Sequence, residues 1–310
     1  MRHMEVRSVV MILCLALASS PWGGPALALA LGTGYALTLG NPWPQRTASL
    51  SRMSLQLSVV GLGFGLKLGE VVQTGRESVG YTIVGISFTL GVGYLLGRLF
   101  GTGSNTSALI SAGTAICGGS AIAALAPVLE AKDDETAVAL GTVFTLNSVA
   151  LLLFPLIGHL LDLRQDVFGT WAGLAIHDTS SVVGAASAFG EEALKVGTTV
   201  KLTRAMWIMP VVFGAALLKK SDQRVRVPLF IIGFIAAAAV RSLLPAFEGQ
   251  WNQVAALARH GLGVSLFFVG LGLSREVLGK VGLRPMLQGV TLWFVVSAVT
   301  LAALVVSAGR

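Results

Sequence analysis

The sequence predicts an all-α, polytopic membrane protein, and three observations carry that expectation. Charged residues make up 12% of the 310, about half the density of a soluble domain. Apolar stretches long enough to cross a hydrocarbon core, about 20 residues each, follow one another along the chain and raise the mean hydropathy to +0.78. These runs are continuous, whereas the strands of an outer-membrane barrel would alternate apolar and polar residues. No stretch is left for an extramembrane domain, so residues 1–310 read as a single transmembrane domain.

In order, the apolar stretches predict eleven spans, at about 7–20, 24–40, 52–72, 79–99, 106–130, 135–161, 167–190, 194–218, 227–245, 253–273 and 286–308. The first follows the basic stretch Arg2–Arg7 and resembles a signal peptide. Pro21-Trp22-Gly23-Gly24-Pro25 reads instead as a tight turn into a second apolar run, which predicts an uncleaved first helix. The net charge of +7 is placed in loops and not in a nucleic-acid surface. With the N-terminus cytoplasmic, the inside segments collect Arg46, Arg52, Arg98, Arg164, Lys219, Lys220, Arg224, Arg226, Arg275, Lys280 and Arg284. The outside loops then hold Lys132-Asp133-Asp134-Glu135 and Glu191-Glu192. The excess of Lys and Arg on one side predicts a cytoplasmic N-terminus and a periplasmic C-terminus in a bacterial inner membrane.

An internal repeat accompanies the spans. Residues 112–120 (AGTAICGGS) resemble residues 172–180 (AGLAIHDTS), with five identities in nine at an offset of 60. Gly141-Thr142 parallels Gly197-Thr198, and Phe154-Pro155 parallels Met209-Pro210. A weaker echo pairs Val60-Gly61-Leu62-Gly63 with Val269-Gly270-Leu271-Gly272. Such repeats are a sequence trace of secondary transporters. Two spans separate the starts of the main blocks, so the blocks are parallel unless one is re-entrant or the span count is off.

Three polar motifs stand inside apolar spans. In residues 113–120, Gly118 and Gly119 each weaken a helix by about 1 kcal/mol relative to alanine, and Thr114, Cys117 and Ser120 flank the break. A broken helix exposes N–H groups that suit an anion, while close packing of small residues is the structural alternative. In residues 176–183, His177 and Asp178 are costly inside a membrane span. His177 could carry a coupling proton, and Asp178 could bind a coupling cation such as Na⁺. The alternative is an interfacial helix start capped by Asp178 or Thr179. Thr179, Ser180 and Ser181 add hydroxyls beside them. Lys201 and Arg204 lie one turn apart on one helix face and could hold a carboxylate or oxyanion, or snorkel to an interface as anchors. Asn147 is a further polar group in the sixth span. No metal-ligand spacing, disulfide framework or cofactor motif is present, and Gly61-Leu62-Gly63-Phe64-Gly65 lacks the strand–turn–helix setting of a dinucleotide site. No ATP-binding loop is present, which argues against ATP-driven transport by this chain alone.

Residues 113–127 (GTAICGGSAIAALAP), 176–185 (IHDTSSVVGA) and 201–210 (KLTRAMWIMP) resemble the UPF0324 family, the bacterial YeiH-like membrane proteins labelled sulfate exporters. The resemblance covers most of the chain. Many relatives carry glutamine where this chain has Ser181. The family is grouped with the cation:proton antiporter and anion transporter superfamily. That resemblance implies inverted repeats, discontinuous helices, and a core domain moving against a scaffold, often in a homodimer.

The expected function is secondary transport of a small anion coupled to H⁺ or Na⁺. Thr114, Cys117, Gly118, Gly119, Ser120, Asn147, Thr179, Ser180, Ser181, Lys201 and Arg204 are the expected substrate contacts, and His177 and Asp178 the expected coupling residues. The rival readings are a channel or uncoupled binding protein, and an intramembrane enzyme using Cys117 and His177.

Overall fold

The computed structural model describes residues 2–18, 25–219, 229–272 and 282–308. Among them the chain is helical: α1 Arg2–Ala18, α2 Pro25–Leu39, α3 Pro44–Gly63, α4 Leu68–Phe100, α5 Ser104–Ala115, α6 Gly119–Leu125, α7 Asp133–Leu160, α8 Gln165–Ala175, α9 Thr179–Phe189, α10 Glu191–Ala205, α11 Ile208–Lys219, α12 Leu229–Leu243, α13 Glu248–Leu271 and α14 Leu283–Ala308. Five described segments are long and apolar enough to cross a membrane: Leu68–Phe100, Asp133–Leu160, Glu191–Leu217, Pro245–Leu271 and Leu283–Ser307. The expected turn at 21–24 and the loop cations Lys220, Arg224, Arg226, Arg275 and Lys280 lie outside the described residues.

The chain forms two compact units. The first comprises Met1–Gln73 and Pro228–Arg275 and contains the weaker echo as an inverted repeat. Helices α3 and α13 run antiparallel, because Gly61 meets Ala258, Gly261 meets Ser58, and Ser265 donates to the Ser51 carbonyl at 3.3 Å. Each has a partner from the other half. Helix α12 lies along α3, with Gly233 on Val60 and Gly63 on Phe234, and α2 lies along α13, with Gly32 on Phe267. The two similar helix ends are closed alike. Arg241 donates to the Phe64 carbonyl at 2.7 Å, and Asn41 to the Leu271 carbonyl at 3.0 Å. Both bonds supply a donor to a helix end whose last carbonyls have none.

The second unit comprises Thr74–Val227 and Glu276–Arg310 and contains the stronger repeat. Here the structure revises the span count, since 106–130 and 167–190 are re-entrant hairpins and not crossings. Asn105, at the start of α5, donates to Glu135, at the start of α7, at 3.2 Å. Further along, Gly113 meets both Val143 of α7 and Ile122 of α6. Helices α5 and α7 therefore start on the same side and run parallel, with α6 folded back between them. The second hairpin repeats this arrangement. The Gln165 side chain accepts from the Glu192 N–H at 3.0 Å, Gly169 meets Val196, and Gly173 meets Val200. Phe168 and Phe189 stack at 3.8 Å and close the hairpin's mouth. Helices α8 and α10 thus start together, with α9 returning between them.

Helix α7, 28 residues long, carries the chain from the mouth of the first hairpin to the mouth of the second. The hairpins consequently enter from opposite sides, and the repeat is inverted. Hairpin-plus-crossing-helix is the repeated module, so the two blocks read as parallel from span counting are antiparallel in space.

Helix α14 backs the module. Its Trp171 contact is a 2.9 Å hydrogen bond from the indole to the Ser297 carbonyl. Its Gln288 amide donates to Ser107 Oγ at 2.8 Å and to the Gly93 carbonyl at 3.1 Å. Gly93 and Gly97 of α4 have no room for a side chain, because Ser111 and Ser107 occupy the space where a Cβ would stand.

Candidate functional site

The site lies where the hairpin tips meet. In the first tip, α5 stops at Ala115, Ile116 and Cys117 turn the chain, and Gly118 begins the return with φ +65° and ψ −127°. In the second, α8 stops at Ala175 and α9 starts after Asp178. A Cβ on Gly118 would lie 3.1 Å from the Asp178 Cβ and 3.4 Å from its backbone nitrogen. The positive φ and the closeness of the opposite tip both require glycine there.

Each tip leaves helix-end groups that lipid could not satisfy. Side chains of the crossing helices satisfy them. Arg204 Nε donates to the Ala115 carbonyl and Arg204 Nη2 to the Thr114 carbonyl at 3.2 Å, at the end of α5. Lys201 Nζ donates to the Ile176 carbonyl at 2.6 Å, at the end of α8. Both cations therefore face the negative ends of helix dipoles. At the start of α9, Asp178 Oδ1 accepts from the Ser181 N–H at 2.6 Å and from the Ser180 hydroxyl at 3.0 Å, an N-cap at the positive end. Asn147 of α7 joins the two sides of the second tip. Its amide nitrogen donates to Asp178 Oδ2 at 2.6 Å, and its oxygen accepts from the His177 N–H at 3.1 Å.

The repeat explains this pattern. Gly113 meets Val143 and Gly173 meets Val200 at equivalent points of the two modules. Four residues further along each crossing helix stand Asn147 and Arg204. Each reaches the tip of the opposite hairpin.

Burial decides between readings that the sequence left open. Lys201 is 0% exposed and Arg204 2%, so neither snorkels to an interface. Asp178 does cap a helix, but in the buried tip and not at a membrane surface. Thr114, Cys117, Gly118, Asn147, His177, Thr179, Ser180 and Ser181 are also gathered in buried or part-buried positions around the tips. Ser120 is exposed and stands outside this cluster, and Gly119 packs against Phe144 and Leu140 of α7. The two imidazole nitrogens of His177 are buried without a well-formed hydrogen bond, as is the Thr114 hydroxyl. The sequence reading passed over Gln288, which is fully buried and ties α14 to α4 and α5. Its signal was a lone amide within the apolar run 286–308.

Two oppositely entering hairpins, crossing helices that clamp each other's tips, and ionisable groups sealed between them define a polytopic helical membrane protein built on inverted repeats. The chain matches the family model "Conserved hypothetical protein 698" over residues 8–289. It is similar to a UPF0324 membrane protein of Geobacter sulfurreducens, 63% identical over 304 residues and covering 98% of both chains. A UPF0324 membrane protein of Porphyromonas gingivalis is 53% identical over 286 residues, covering 91% of this chain and 87% of the relative. One of Bdellovibrio bacteriovorus is 47% identical over 313 residues, covering 99% and 96%. The chain belongs to the UPF0324 family of membrane proteins. No solved structure matches it.

Proposed function

We propose that this protein is a secondary transporter that carries a small anion across the bacterial inner membrane by alternating access. The observation that carries this reading is the buried junction of two oppositely entering hairpins beside Lys201 and Arg204. A single-pass anchor or a packing bundle has no use for two broken elements that must each be re-satisfied at depth. Inverted repeats with broken helices near mid-depth are the framework on which secondary transporters build a site open to one face and then the other. The formal charges of Lys201, Arg204 and Asp178 sum to one positive at the junction, a balance that suits an anion. An oxyanion such as sulfate, a sulfonate or a carboxylate is the substrate class. Asp178 is the group through which H⁺ or Na⁺ would be coupled, and no catalytic step is assigned to the protein. A homodimer is the assembly that the family resemblance implies.

Purified protein in proteoliposomes tests this reading with labelled sulfate, ethanesulfonate and acetate, under an imposed proton gradient, a sodium gradient and neither. The expected result is saturable uptake of at least one anion that a gradient accelerates, with counterflow. Absence of flux for all three under every gradient would reject the anion claim. Cys117→Ala separates transport from intramembrane thiol chemistry, since transport should persist in that variant, whereas thiol chemistry would be abolished.

A further inference from the structure

The junction contains two kinds of polar residue, and they differ in how their bonds are spent. Asn147, Lys201, Arg204 and Asp178 use their polar atoms on the tips themselves. His177 does the opposite. Its backbone is pinned on every side: Lys201 holds the preceding carbonyl, Asn147 holds its own N–H, and Asp178 caps the next helix. Its side chain is 0% exposed, yet neither ring nitrogen has a well-formed hydrogen bond, with only the Val143 backbone in weak reach. Lys201, which donates to the carbonyl just before His177, and Arg204, which donates to the first tip, are the cationic groups of the same junction. At the equivalent point of the first tip stands Cys117, a small apolar-tolerant residue. A tip needs no imidazole, and an unpaired buried polar side chain costs stability. Residues that break local rules in this way are held for function.

We propose that His177 is the residue that hydrogen-bonds the transported anion, and that Asn147, Lys201 and Arg204 are positioning residues that hold the ring in place. The proposal rests on the anion-carrier reading above and moves His177 from ion coupling to cargo recognition. A ring N–H donates to an oxyanion oxygen, and the two cations behind the tips supply the field that favours negative charge there. Lys201 and Arg204 act through that field and through the carbonyls they hold, without touching the cargo. The ligand class is an oxyanion small enough to sit against one imidazole.

The two roles separate in thermal unfolding of purified protein, with sodium sulfate and sodium ethanesulfonate as probes against sodium chloride at equal ionic strength. His177→Leu removes a polar group with no partner, so the ligand-free Tm should stay level or rise while the probe-induced shift is lost. His177→Gln retains a donor, so the probe shift should persist, with a half-saturating concentration raised by less than the about 10-fold that complete loss of one hydrogen bond to a charged group would bring. Arg204→Met and Asn147→Leu strand buried partners, so their ligand-free Tm should fall. Arg204→Lys should lower the ligand-free Tm less than Arg204→Met does and keep the probe shift. The proposal is overturned if His177→Leu keeps the shift, or if its ligand-free Tm falls as far as that of Arg204→Met. If neither probe shifts the wild type, His177 as an oxyanion donor is overturned, while the anion-carrier reading stands or falls separately by the flux of sulfate, ethanesulfonate and acetate.

Discussion

At Gly118 a single hydrogen atom in place of a side chain decides whether the tips can meet. The backbone there adopts φ +65° and ψ −127°, a conformation that L side chains reach only with strain of order 1–3 kcal/mol. The Asp178 backbone and Cβ fill the space into which a Cβ would grow. Gly118→Ala should therefore destabilise the protein by about 1–3 kcal/mol from strain alone, and Gly118→Val by more, read as the Tm of purified protein. Gly119 lacks the positive φ, and its neighbours are the movable ring of Phe144 and the Leu140 side chain. Gly119→Ala should cost less than Gly118→Ala, and an equal cost would mean that the tip conformation is not what Gly118 supplies. The sequence marked both glycines as a helix break without ranking them. The ranking depends on what lies opposite, and Asp178 is 60 residues away along the chain.

Most helical elements were legible because an apolar run ends at a polar or glycine-rich break that also ends a helix, but the run 52–72 is divided between α3 and α4, and 194–218 between α10 and α11. Their direction was less legible. A hairpin of two half-helices and one crossing helix have nearly the same length and hydropathy, so 106–130 and 167–190 read as spans. What distinguishes them are pairings such as Asn105 with Glu135 and Gln165 with the Glu192 N–H, which composition does not encode. The two topologies differ in which loops share a membrane face. Single cysteines placed at Thr102, Lys132, Arg164 and Glu191, in a background with Cys14 and Cys117 replaced by alanine, distinguish them by labelling with an impermeant thiol reagent. With re-entrant hairpins, 102 and 132 label from one face, and 164 and 191 from the other. With crossing spans, 102 and 132 would separate, and so would 164 and 191.

The seat of the first hairpin is a second feature at this scale. Gly93 and Gly97 sit one helical turn apart on α4 against Ser111 and Ser107 of α5, and the Gln288 amide donates into the seam from α14. Small residues that let backbones approach, joined by an interhelical amide, are a common way to associate helices in lipid. Gly93→Leu overfills this seam, and overpacking costs typically about 1–3 kcal/mol. Its measured consequence should be a lower Tm and a loss of monodisperse protein. Gln288→Leu should be milder, because Ser111 still bonds back to the Ser107 carbonyl at 2.7 Å.

For the molecule as a whole, the hairpins change the side expected for particular loops and leave unchanged the sides that charge predicts for the termini. With the other nine predicted spans taken as crossings, turning two of eleven into re-entrant elements leaves an odd count and does not alter the expectation that the termini lie on opposite faces. Two loops exchange sides. Lys132-Asp133-Asp134-Glu135 joins Arg98 on the face expected to be cytoplasmic, and Arg164 joins Glu191-Glu192 on the face expected to be periplasmic. The basic runs 219–226 and 275–284 keep their side. The orientation rule counts Lys and Arg near span ends and gives acidic residues little weight. One arginine moved outward, where it pairs with Asp166, and one lysine moved inward do not upset the excess carried by Lys219, Lys220, Arg224, Arg226, Arg275, Lys280 and Arg284. A reporter active only in the periplasm, fused after Arg310, should therefore be active, and one fused after Lys132 inactive. Activity at Lys132 together with activity at the C-terminus would restore the eleven-crossing topology. It would also separate the two hairpin mouths from the faces on which the inverted repeat, and with it the alternating-access reading, depends.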